Sequence, residues 1–108
     1  MANTYPVLGG QATGDLNTAT VNILPAVTGR IYSIKSVFIS NATAAQNYVI
    51  EESGGTNILG PFYLAINGNT GHMHFDPGAF KLAEGMGVNV LGSGTAVATA
   101  VVEAYIVS

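Results

Sequence analysis

Along the chain, apolar and polar positions alternate over short runs rather than recurring every three or four residues. Valine, isoleucine, tyrosine, phenylalanine and threonine fill the runs, and glycine, asparagine and proline punctuate them, which is the signature of strands and turns. No stretch of ten or more residues carries apolar positions at helical spacing between proper caps. The runs predict strands over 20–24, 30–40, 46–52, 57–65, 71–76, 79–82, 86–91 and 96–107. Turn signals separate them: Thr28-Gly29, Ser53-Gly54-Gly55, Asn67-Gly68-Asn69, Pro77-Gly78, Glu84-Gly85 and Gly92-Ser93-Gly94. About eight strands at this spacing predict an all-β sandwich or barrel.

The last run alternates most clearly. Ala98, Ala100, Val102, Ala104 and Ile106 share one face, and Thr99, Val101, Glu103, Tyr105 and Val107 the other. Neither face is simply polar, so the strand is expected to be covered on both, by the core on one side and by a neighbouring subunit or sheet edge on the other. Residues 1–19 show no such period. They contain Pro6, Gly9, Gly10 and Gly14 and one charge, Asp15. They are expected to form an extended N-terminal arm ahead of a sandwich domain at 20–108. Within the arm, Tyr5, Val7 and Leu8 make an apolar patch that could order on a partner.

Composition then narrows the class. The chain has 108 residues, one domain's worth, of which only nine are charged: three Lys or Arg and six Asp or Glu. Uncharged polar residues take their place, with nine Asn, ten Thr and six Ser. Depletion of charge is the compositional mark of interface cores, so a surface covered by copies of itself or by a larger assembly is expected. A net charge of −3 supplies no basic patch for nucleic acid. No apolar run approaches the roughly 20 residues of a membrane helix. Without cysteine there is neither a disulfide framework nor a thiolate metal site. The first ten residues have no cation and no continuous apolar core, so they do not read as a secretory signal, and folding in a cytoplasm is expected.

One segment could carry metal chemistry. In His72-Met73-His74-Phe75-Asp76, a strand would put His72, His74 and Asp76 on one face, a ligand set suited to zinc or iron. The same pattern also arises when Met73 and Phe75 face a core and the polar residues face water. No glutamate follows at the spacing a cupin requires. Three chains could also bring His72 and His74 together on a trimer axis. Glu51 and Glu52 are adjacent in a strand and point to opposite faces, so they are no acid–base pair. There is no nucleophile elbow and no phosphate loop, so no enzyme and no cofactor is expected. Tyr32, Tyr48, Phe62, Tyr63 and Tyr105 are candidates for a sugar-stacking face.

Residues 29–41 (GRIYSIKSVFISN), 47–54 (NYVIEESG) and 80–90 (FKLAEGMGVNV), with the long closing strand that ends in Tyr105, resemble small jelly-roll structural proteins of tailed bacteriophages. The likeness spans about residues 20–107 and lies in style rather than in a diagnostic motif. It implies an antiparallel, jelly-roll-like β-sandwich with a structural role in the virion and no catalytic residues. The role expected first is a capsid decoration (cement) protein, a homotrimer that binds the major capsid protein after synthesis in the host cytoplasm. A tail, neck or fibre module, with or without glycan binding, is the alternative, and a small metal-dependent enzyme the third.

Overall fold

The computed structural model describes residues 5–16, 21–94 and 97–108. Eight strands form, β1 (Val7–Asp15), β2 (Val21–Leu24), β3 (Tyr32–Asn41), β4 (Gln46–Glu52), β5 (Asn57–Leu64), β6 (Met73–His74), β7 (Val88–Gly92) and β8 (Val97–Ile106), with no helix among the described residues. They make two antiparallel four-stranded sheets, ordered β1-β8-β3-β6 and β2-β7-β4-β5.

The order has a simple origin. The β4–β5 hairpin is the midpoint, and strands equidistant from it pair: β4 with β5, β3 with β6, β2 with β7 and β1 with β8. The chain is therefore one long hairpin whose arms have rolled up, and the pairings β3·β8 and β4·β7 assemble the nested pairs into two sheets. That is the jelly-roll arrangement of the β-sandwich. The midpoint turn is held by Gly55 N–H donating to Glu52 O (2.8 Å), and Gly55 has a positive φ of 96° that only glycine adopts freely.

Alternation fixes which faces meet. Ile34, Val37 and Ile39 of β3, Ala98, Ala100, Val102 and Ala104 of β8, Ile50 of β4 and Val88 and Val90 of β7 are all buried in one core. A one-residue bulge between Ile34 and Ser36 keeps this phase, because Ile34 stands opposite Ala104 and Ser36 opposite Glu103. β8 lies between β1 and β3, so both its edges are paired within the chain.

Three expectations need correction. Residues 7–15 belong to no free arm: they run along β8 in unbroken register from Val7↔Tyr105 to Asp15↔Val97. The signal was hidden because Gly9, Gly10 and Gly14 erase the apolar period. Gly10 is also required by packing. A Cβ there would lie 2.4 Å from Ile23 O and 2.9 Å from Ile23 Cγ2, so glycine lets β1 close against β2 on that side of the sandwich. Residues 1–4 and 17–19 of the expected arm, Thr20 at the start of the first expected strand and Ala96 at the start of the last lie outside the described residues. Conversely, 79–82 is no strand. Pro77 and the turn that follows it allow only a single bridge, Ser33↔Lys81, yet Ile34 N–H to Phe80 O and Leu82 N–H to Tyr32 O still tie the segment to β3. The 71–76 run is likewise shortened to Met73–His74.

Candidate functional site

Of the three patch residues predicted to reach a partner, Leu8 packs against the core, opposite Ala104. Tyr5 meets Tyr105 edge-on, with ring centres 6.4 Å apart. Val7 alone is among the large apolar residues left exposed. Pairing with β8 thus commits most of this patch to the domain itself. Tyr5 also lines a groove of about 330 Å³ at one end of the sandwich, with Ile31, Val107 and the charged Lys81.

The predicted sugar platform does not assemble. Tyr32 and Tyr48 are wholly buried, Phe62 and Tyr105 half-buried, and Tyr63 is 69% exposed. The parity of each strand explains the split. Tyr32 and Tyr48 sit on core-facing positions with Ile34 and Ile50, while Tyr63 stands opposite Asn47 on the outer side of β4 and β5.

His72 and His74 do come together. Both are exposed, and their ring centres are 4.4 Å apart. Met73 between them packs against the core, as the alternation predicts. Asp76 does not complete the set, because β6 ends at His74 and the chain then turns. Among the described residues, no three of His, Asp and Glu gather closely enough to hold a metal ion. Nearby on the same outer face, the Ser36 hydroxyl donates to Glu103 Oε1 at 2.7 Å. Glu52 is also engaged, its Oε2 accepting from Ala83 N–H at 3.0 Å.

The outer face of the second sheet carries a separate groove. Val49, Pro61 and Leu91 line a shallow groove of about 280 Å³ with Asn47, Gly92 and Ser93. Asn22 and Asn89 extend the face, joined by Asn22 Nδ2 donating to Asn89 Oδ1 at 2.8 Å. Ser93 Oγ accepts the Asn47 N–H at 2.9 Å and fixes the loop that borders the groove. None of the residues lining this groove is charged. Sequence reasoning missed it, although the signal is present. Val49 and Leu91 are apolar at outward positions of runs whose other outward residues, Asn47, Glu51 and Asn89, are polar. Pro61 stands on the edge strand β5 and removes an N–H donor there, which blunts that edge against further pairing.

The sequence matches no model of a known protein family, and no curated protein matches it.

Proposed function

We propose that the chain is a structural protein of a bacteriophage virion, a decoration protein that seats on a shell of major capsid protein and braces it. The observation that carries this reading is the outer face of the second sheet, where Val49, Pro61 and Leu91 form an uncharged apolar groove with Asn47, whose cross-strand neighbour is the exposed Tyr63. An apolar centre inside a rim of neutral polar groups is the anatomy of a protein–protein interface. A chain with nine charges in 108 residues has little electrostatic defence against association, which suits a protein present in many copies on a shell. The jelly-roll strand order supports the reading by analogy of fold, since viral shell proteins use it widely.

The mechanism is mechanical. A preformed sandwich spans the boundary between capsomers and buries apolar area on both, and repetition of a modest contact over symmetric copies resists outward pressure by avidity. In this reading the copies act as trimers and assemble onto the shell in the host cytoplasm. No catalytic step, cofactor, nucleic acid or membrane enters it.

Co-sedimentation of the purified chain with expanded shells of the major capsid protein from the same genome tests the proposal. Wild-type chain is expected to pellet with the shells. Tyr63→Asp is expected to lower occupancy at least about tenfold while changing stability by no more than about 0.5 kcal/mol, as surface substitutions do. No pelleting of the wild type overturns the reading. The exposed Tyr63 ring beside Asn47 also favours a second reading, a tail or fibre module that stacks a sugar. Glycan-array hits abolished by Tyr63→Asp, without shell binding, would select it.

A further inference from the structure

The His72–His74 pair has a geometry that water-facing polar side chains do not need. With a metal–nitrogen bond of about 2.1 Å, an imidazole ring centre lies about 3.2 Å from a bound ion, so two rings sharing one ion have centres about 4.5 to 5.2 Å apart. The observed separation is 4.4 Å, and the rings are inclined at 54° rather than stacked flat. Independently of the shell-binding reading, we propose that His72 and His74 chelate one divalent ion, copper(II) before nickel(II) and zinc(II) in the usual order of affinity, with water in the remaining positions.

The backbone carrying the two rings is fixed on both sides. Ahead of the pair, Thr70 N–H donates to Ile39 O at 2.9 Å, the Thr70 hydroxyl accepts from Ile39 N–H at 3.0 Å, and Asn69 bridges to Ser40. Behind it, Phe75 N–H donates to Lys35 O at 2.8 Å, and between them His74 pairs with Ser36. The Phe38 ring stands edge-on to His72 at 6.3 Å and limits the swing of that imidazole. Only the two side chains themselves remain for an ion to order, which favours a two-ligand site. Neither Asp76 nor Glu103, whose Oε1 accepts from the Ser36 hydroxyl, gathers with the pair as a third ligand.

The test is a titration of the untagged full chain with copper(II) chloride, followed by electron paramagnetic resonance, alongside H72N, H74N and D76N and a parallel zinc(II) titration. Thermal midpoints of the metal-free variants confirm that these exposed substitutions leave the fold intact. One copper per chain with two coupled nitrogens is expected. Losing the second, intramolecular ligand is expected to weaken binding at least about tenfold in H72N and in H74N, while D76N stays within about twofold of wild type. Undiminished binding by either histidine variant overturns the proposal, as does half an equivalent of copper per chain. A loss in D76N as large as in H74N overturns it in favour of a three-ligand site, and tighter zinc than copper binding overturns the order of preference.

Discussion

Tyr32 and Tyr48 are the two largest side chains in the core, one from each sheet, and both are wholly buried. They close opposite ends of it. Tyr32 begins β3, whereas Tyr48 reaches across to Asn41 at the far end of that strand. Their hydroxyls are equally satisfied but in different company. The Tyr32 hydroxyl donates to Pro25 O at 2.8 Å and accepts from Arg30 at 3.3 Å, and the Arg30 guanidinium lies 5.7 Å from the ring centre. Pro25 is exposed and Arg30 half-buried, so water stands close to that end. The Tyr48 hydroxyl donates to Asn41 Oδ1 at 2.7 Å and accepts from the Gln46 side-chain amide, and both partners are buried. Asn41 in turn donates to the carbonyls of Ala44 (2.6 Å) and Ala65 (3.1 Å), binding the β3–β4 connection to the end of β5. One end is capped by a buried ring whose hydroxyl partners lie near water, the other by a closed polar network. The difference shows that the cost of losing a hydroxyl depends on what can replace it, not on how deeply its ring is buried.

Tyr48→Phe breaks the closed end and is expected to have the largest effect. It removes the donor to Asn41 Oδ1 and an acceptor for Gln46 where water cannot substitute, which costs about 3 kcal/mol. Urea denaturation reads it as a lower midpoint with an unchanged slope. A loss under about 1 kcal/mol would mean that the network rearranges around the missing hydroxyl. Gly92→Ala tests the same end by crowding it. The added Cβ would lie 2.7 Å from Gln46 Nε2 and 3.1 Å from Tyr48 Cε1, so the amide must shift and the network loosen. A penalty of about 2 kcal/mol is expected, within the range for overpacked cores. Combining it with Tyr48→Phe is expected to fall short of additive, because both act on one network.

The two ends also differ in how far they were legible in the sequence. The β4 run was read with its bounds intact, Gln46 to Glu52, because alternation and the flanking turn residues agree there. Its parity already places Tyr48 inward with Ile50. What parity cannot supply is Asn41 as its partner, since that contact depends on how the two sheets face each other. At the other end, Phe80 and Leu82 looked like a strand because both are apolar at period two. They do bond to β3, but the Pro77 turn breaks the regularity. β1 was missed for the opposite reason: its glycines leave no period, and its strand character comes wholly from the register that β8 imposes. The site shows the same division. Period two foretold that His72 and His74 share a face and that Met73 does not. It could not foretell that β6 stops before Asp76, because a strand's length is set by its partner. Val49 and Leu91 stand at outward parity in the sequence, but that they meet Pro61 in one groove depends on how β5 and β7 flank β4.

The smallest effect is expected at the open end, and it is the sharpest test of the comparison. Tyr32→Phe removes a hydroxyl from a ring as buried as that of Tyr48, so a cost set by burial alone would make the two substitutions equal. The groups it strands are the Pro25 carbonyl and the Arg30 guanidinium, both near solvent, and each can bond water instead. The ring itself, and with it the guanidinium contact and the packing, is unchanged. The loss should therefore be about 1 kcal/mol, the net worth of one ordinary hydrogen bond, and about a third of that at Tyr48. Measured in the same urea series, a Tyr32→Phe penalty equal to or above that of Tyr48→Phe would show that the Pro25–Arg30 end is closed to water too.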